Sequence, residues 1–194
     1  KTKILYIGAN EGNISKNLQK NKSKVTLVDV EEFESDPRVN FVKGEWENLR
    51  LNEKFDLIIA SHVWGHFSYN KKSKEALKNI LHHLDKNGKI ILCYNINENF
   101  IKDLIDKTRK IFDTQYDSFD ENLIKKFKRK EIEFSVKLKE STFEKLADLI
   151  QVLTIISDEE FNKNKKLITD FLKEKLDKPE FEIKQKLVIL ENLK

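Results

Sequence analysis

The chain has 194 residues, 39% of them hydrophobic, which is enough to bury one sizeable core. Its 37 Lys and Arg nearly balance 33 Asp and Glu to a net +4, with the two signs interspersed, so the composition does not ask for a nucleic-acid partner. A single cysteine, Cys93, excludes an internal disulfide and any multi-cysteine zinc site; with no apolar run near the ~20 residues that span a bilayer and no signal-peptide pattern, a cytoplasmic protein without a membrane partner is expected.

Short runs rich in β-branched residues alternate with stretches of helical period, the pattern of a mostly parallel sheet covered on both faces. Strands are predicted at Lys3–Gly8, Lys24–Val30, Val39–Lys43, Phe55–Ser61 and Lys89–Tyr94. Between them, Asn13–Asn21 carries Ile14 and Leu18 at helical spacing, and Lys72–Leu84 carries Leu77, Ile80, Leu81 and Leu84; Asn87-Gly88 is expected to end the second helix. From Asn97 the pattern turns helical. Phe100, Ile101, Leu104 and Ile105 form one stripe, Phe143, Leu146, Leu149, Ile150 and Leu153 a second, and Leu167, Ile168, Phe171 and Leu172 a third. Within this half Glu131–Lys139 alternates strictly (Ile132, Phe134, Val136, Leu138) and is predicted as a strand, as is the final Phe181–Leu190 run after Pro179. The expected fold is therefore an α/β doubly wound sheet with a helical C-terminal elaboration. It forms a single domain over 1–194, with 1–95 as a ligand-binding half, 96–180 as the helix-rich part and 181–191 as the terminal strand.

Two features carry chemistry. The first strand runs into Gly8-Ala9-Asn10-Glu11-Gly12 and then a helix, a turn that lets backbone approach a ligand and aims the helix N-terminus at it. The second strand ends in Asp29, where a carboxylate can accept hydrogen bonds from both hydroxyls of a ribose. His62 and His66 flank the turn after the fourth strand, where open α/β sheets bind ligands and where an imidazole can take a proton near neutral pH; a structural role within that turn is the competing reading. His82 and His83 read as structural or solvated, Cys93 as a small buried residue, and the four histidines lack the grouping of a metal site. Lys125–Lys130 is the one dense basic run and reads as a solvated face.

In order and spacing, Ile4–Asn13, Val25–Val30, Phe41–Leu49, Phe55–Phe67 and Leu84–Tyr94 resemble five successive motifs of the class I S-adenosylmethionine-dependent methyltransferases, across about half of the chain. The resemblance implies S-adenosyl-L-methionine as cofactor. Gly8, Ala9, Asn10 and Gly12 would lie against its methionine and ribose parts, Asp29 with Val30 at the ribose, Glu45 and Trp46 beside the adenine, and Ser61, His62 and Val63 below the sulfonium and the acceptor. Tyr6 stands where the family usually has an acid, and Asn10 where it has the middle glycine; asparagine tolerates positive φ, so the second change can keep the turn.

Methyl transfer from a sulfonium is an in-line displacement, so catalysis can come from orientation and water exclusion, with His66 or His62 as the candidate base. The expected acceptor is an oxygen or nitrogen of a small molecule, enclosed by Val63–Tyr69 and the C-terminal helices; the sequence leaves the oligomeric state open. Two other readings stay open. One is a methyltransferase-like binding or scaffold subunit without catalysis, motivated by Tyr6 and Asn10. The other is a nicotinamide-dependent oxidoreductase, whose Gly-x-Gly-x-x-Gly fingerprint the turn Gly-Ala-Asn-Glu-Gly-Asn does not match.

Overall fold

The computed structural model describes residues 1–8, 23–32, 37–69, 71–96, 98–112, 119–152 and 157–191. In chain order these form β1 (Lys3–Ile7), β2 (Lys24–Asp29), β3 (Asn40–Lys43), β4 (Phe55–Ser61), α1 (Trp64–Tyr69), α2 (Ser73–His83), β5 (Leu84–Asn95) and α3 (Asn99–Phe112). A short 3-10 turn (Glu121–Leu123), β6 (Lys128–Lys139), α4 (Phe143–Val152), α5 (Asp158–Lys175) and β7 (Glu180–Glu191) follow. The sheet is seven-stranded in the order β3-β2-β1-β4-β5-β7-β6. Every pairing among β1 to β5 is parallel, so the C-terminal ends of these strands share one edge. The order reverses direction between β1 and β4, the switch point at which open α/β sheets hold their ligands.

The described residues divide into two compact units. The first contains those up to Tyr94, together with Phe119–Ile132 and the residues from Lys186 onward. Its strands alternate side chains between two apolar clusters. Leu5, Ile7, Val28, Ile58, Ala60, Ile90 and Leu92 meet Trp64, Phe67, Ala76, Leu77 and Ile80 of the helices, whereas Ile4, Tyr6, Val25, Leu27 and Ile59 gather on the other face with Val39. Burial on both faces is why these strands read as nearly continuous apolar runs. In the second unit, α3, α4 and α5 bring Ile101, Leu104 and Phe112 against Leu146, Ile150, Phe161, Ile168 and Leu172, and Phe100 stacks on Phe171 at 6.2 Å.

The five strands predicted in the first half are all present, within one residue except at β5. There the helix ends at His83 and the strand starts directly at Leu84. Asn87-Gly88, expected to end the helix, instead lies inside β5 at a bulge, between the pairings Phe55↔Leu84 and Leu57↔Lys89. A side chain on Gly88 would stand 2.9 Å from the Phe55 carbonyl oxygen, so glycine fits the bulge rather than a cap. Strand β6 begins earlier than predicted, at Lys128, which puts part of the basic run in the sheet. Leu167 is half exposed, so the third helical stripe is narrower than its sequence suggests. The predicted helix at 13–21 and Leu153 of the second stripe lie outside the described residues.

Candidate functional site

Hydrogen bonds just past the strand ends extend the sheet's order into the turns. Gly8 N–H donates to the Val28 carbonyl at 2.9 Å, Gly44 N–H to the Asp29 carbonyl at 2.8 Å, and His62 N–H to the Cys93 carbonyl at 2.8 Å. These bonds bring Gly8, Asp29, Gly44, Ser61, His62 and Cys93 to one edge of the first unit. Of the predicted cofactor residues, Gly8, Asp29, Val30, Ser61, His62 and Val63 are gathered there; Ala9, Asn10 and Gly12 lie outside the described residues.

Gly8 has φ +68, the left-handed region that favours glycine. An added Cβ would come within 2.9 Å of the Val63 Cβ. The sequence pattern suits this glycine to close approach of a ligand; the structure gives a nearer reason, the closeness of Gly8 to Val63. Asp29 Oδ1 accepts from the Glu31 N–H at 3.2 Å, which steadies the carboxylate at the end of β2. Immediately after it Val30 leaves 56% of its surface exposed, an apolar patch beside a carboxylate of the kind that suits a nucleoside: hydroxyls for the acid, a base for the aliphatic surface.

Trp46 is corrected. It is 2% exposed, its indole N–H donates to the Ala76 carbonyl at 3.1 Å, and its ring meets His83 at 5.2 Å, so it belongs to the core and presents no face to an adenine. Its neighbour Glu45 is exposed and held by Asn48 at 2.6 Å and Lys72 at 3.3 Å. The same region shows why His83 is structural. Its Nδ1 bonds to the Asn79 carbonyl at 2.9 Å, and its Nε2 accepts the Leu51 N–H at 3.0 Å, which uses both ring nitrogens of a neutral imidazole. His83→Phe should keep the volume but strand the Leu51 N–H, at a cost of about 1–3 kcal/mol. Urea denaturation of the variant measures it, and an unchanged midpoint would show that water replaces the bond.

Tyr6, on the face shared with Leu27 and Ile59, is 5% exposed. Burial pushes the pKa of its hydroxyl up, so this position supplies a neutral hydroxyl rather than a carboxylate. Cys93 lies opposite Ser61 in the sheet register, and burial raises its pKa, which keeps the thiol protonated and a poor nucleophile. Sequence reasoning treated Tyr6 only as a departure and Cys93 only as core. The register of β1, β4 and β5 places both beside Ser61, and no single-strand pattern signals that.

The two histidines differ. His62 sits at φ +56, its ring exposed at one side, with Nε2 3.6 Å from the Cys93 sulfur. His66 lies on α1, whose inward residues Trp64 and Phe67 are anchored edge to face at 5.3 Å; this leaves the His66 ring outward. The Trp64 indole nitrogen is the one buried side-chain polar atom without a hydrogen bond among the described residues. Burial of part of each ring lowers both histidine pKa values, and for His66 the Asp29 carboxylate pulls the other way. Both imidazoles are thus neutral near pH 7, the state a proton acceptor needs.

Among the described residues no group of three or more His, Cys, Asp or Glu could hold a metal, and no helix is long and apolar enough to cross a membrane. The methyltransferase-domain family matches residues 1–135. No curated protein matches the chain. Among solved structures, a candidate methyltransferase from Bacillus halodurans superposes with a TM-score of 0.68 at 15% identity, covering 99% of this chain and 93% of its own. The YcgJ protein of Bacillus subtilis gives 0.64 at 15% identity, covering 100% and 93%. The N-methyltransferase NodS of Bradyrhizobium japonicum, in complex with S-adenosylhomocysteine, gives 0.54 at 14%, covering 100% and 79%. At such identities the structural likeness speaks for the fold, while the family match spans more than half of the chain. With the strand order, Gly8 and the Asp29 carboxylate already placed, the chain belongs to the class I S-adenosylmethionine-dependent methyltransferases, whose cofactor is S-adenosylmethionine.

Proposed function

We propose that this protein transfers a methyl group from S-adenosylmethionine to an oxygen or nitrogen of a small-molecule acceptor by in-line displacement. The observation that carries the reading is the convergence of the Gly8 turn, Asp29, Val30, Ser61 and His62 on one strand edge at the sheet's switch point. The cofactor supplies an electrophilic methyl on a positively charged sulfur. Asp29 binds the ribose hydroxyls, and Val30 covers apolar surface of the nucleoside. Tyr6 and Ser61 offer neutral hydroxyls that add no charge beside the sulfonium. His66, neutral and outward on α1, accepts a proton from the acceptor as its lone pair is committed, with His62 as the other candidate.

Calorimetric titration with S-adenosylmethionine and mass-spectrometric detection of co-purified S-adenosylhomocysteine test the reading; absence of binding at millimolar cofactor would leave the chain a methyltransferase-like binding subunit. Asp29→Ala should weaken binding by about 1–3 kcal/mol, because it removes a charged acceptor at the end of a strand while the hydrogen bonds of the sheet remain. A folded variant with an unchanged dissociation constant would take Asp29 out of the site.

A further inference from the structure

Strand β6 ends the sheet, so along its outer side no strand pairs with it among the described residues. It is long, at 12 residues, and contains no proline. Residues 130–135 are exposed on both faces, with Ile132 at 54% and Phe134 at 39%. An edge of this kind is a template for another strand, and proteins that remain monomeric usually blunt it.

The sequence along the edge selects the partner. When Lys130–Glu140 is laid antiparallel against a second copy with Ser135 on the two-fold axis, Lys130 stands opposite the second copy's Glu140, Glu131 opposite its Lys139, and Glu133 opposite its Lys137. Ile132 meets Leu138, Phe134 meets Val136, and Ser135 meets itself. Directly opposed residues of antiparallel strands share a face, so the apolar pairs form one stripe closed at each end by a Lys130–Glu140 pair, while Glu131–Lys139 and Glu133–Lys137 lie on the other face with Ser135. In this register no like charges face each other. A shift of one residue sets Lys130 against Lys139 in one direction and Glu131 against Glu140 in the other, a centre on Glu133 sets that carboxylate against itself, and an in-register parallel pairing stacks Glu on Glu and Lys on Lys.

We propose that β6 is a homodimer interface at which two copies of this chain pair antiparallel, edge to edge, about Ser135 and so join their sheets. The interface is isologous, as closed two-fold symmetry requires. Within each chain Lys137 contacts Glu180 at 3.0 Å and Glu131 contacts Lys186 at 3.8 Å. Glu131 also pairs with Arg129, and Lys186 is largely buried, so thermal melts of each charge-reversed variant establish that its monomer is folded before its mass is read.

Light scattering after size exclusion, over a concentration series of the full chain, reads the mass. The wild type should run at twice its 23.0 kDa and dissociate on dilution. E131K/E133K and K137E/K139E should each run as monomers, since both charge pairs on the Ser135 face become like-charged. Mixed in equal amounts the two should regain the doubled mass, because all four charge pairs on the Ser135 face become complementary again. Ser135→Lys, a substitution at one exposed position that sets two ammonium groups together on the axis, should abolish the dimer independently. A wild type that stays monomeric at its highest soluble concentration overturns the proposal. So does a dimer that persists in Ser135→Lys and in either charge-reversed variant, or two folded variants that fail to restore the doubled mass on mixing.

Discussion

Gly8→Val is expected to lose cofactor binding together with much of the protein's stability. Two costs add. The residue sits at φ +68, where a non-glycine residue costs roughly 1–2 kcal/mol and a β-branched one is a true outlier. Its Cβ would also press to 2.9 Å from the Val63 Cβ and 3.0 Å from Cγ2, an overpacking that typically costs about 1–3 kcal/mol. Val63 precedes α1 directly, so the strain falls on the turn that presents His62 and His66. Thermal melts and cofactor titrations on a short series separate the two costs. Gly8→Ala should remain strained, Gly8→Ala with Val63→Ala should recover the steric part, and Gly8→Asn, tolerant of this φ, should recover part of the backbone cost. A fully stable Gly8→Val that binds cofactor normally would show that the turn's conformation is dispensable.

His66→Ala should lower turnover by about 10²–10⁴-fold with cofactor affinity and melting temperature nearly unchanged, the signature of a lost general base. The acceptor is first found by screening for S-adenosylhomocysteine release. The pH profile adds a second readout with a definite sign. Burial holds the His66 pKa below its ordinary 6.5 despite the opposing pull of Asp29. The base form therefore predominates at pH 7, and the acid limb of kcat/KM should have its midpoint below pH 6.5. The variant should lack that acid limb. If stability and cofactor binding fall along with rate, His66 is a tie within its turn. If turnover is normal, the assignment passes to His62 or to positioning alone, since a neutral amine acceptor needs no base.

How much of this could be read from the sequence depended on where each signal lies. Strands such as Phe55–Ser61 declared themselves because burial on both faces forces a continuous apolar run. Asp29 and Gly8 were legible because a strand end and a glycine turn are local features. Trp46 misled because a large aromatic beside a motif suits either a ligand or the core, and only Ala76, thirty residues away in the chain, decides between them. The start of α5 was missed for a different reason. Its first turn is Asp158, Glu159 and Glu160, capped by Ser157 whose hydroxyl accepts the Glu160 N–H, and such an end carries no apolar stripe. The first buried apolar residue of the helix, Phe161, stands seven residues before Ile168 with only polar residues and the half-exposed Leu167 between them. The placement of Tyr6 and Cys93 beside Ser61 depends on register between strands far apart in sequence, which one sequence does not display.

The bonds from α2 to the stretch after β3 have a consequence for how the protein opens. Asn79 Nδ2 donates to the Trp46 and Leu49 carbonyls at 2.6 and 3.0 Å, and His83 takes the Leu51 N–H. Leu51 belongs to no helix or strand, yet its amide is tied to a side chain that is 1% exposed. Amide hydrogens exchange with solvent only when the structure holding them opens. The Leu51 amide should therefore exchange slowly, at the pace of the buried turns of α2 rather than of the loop around it, and so report when that helix lifts off the sheet.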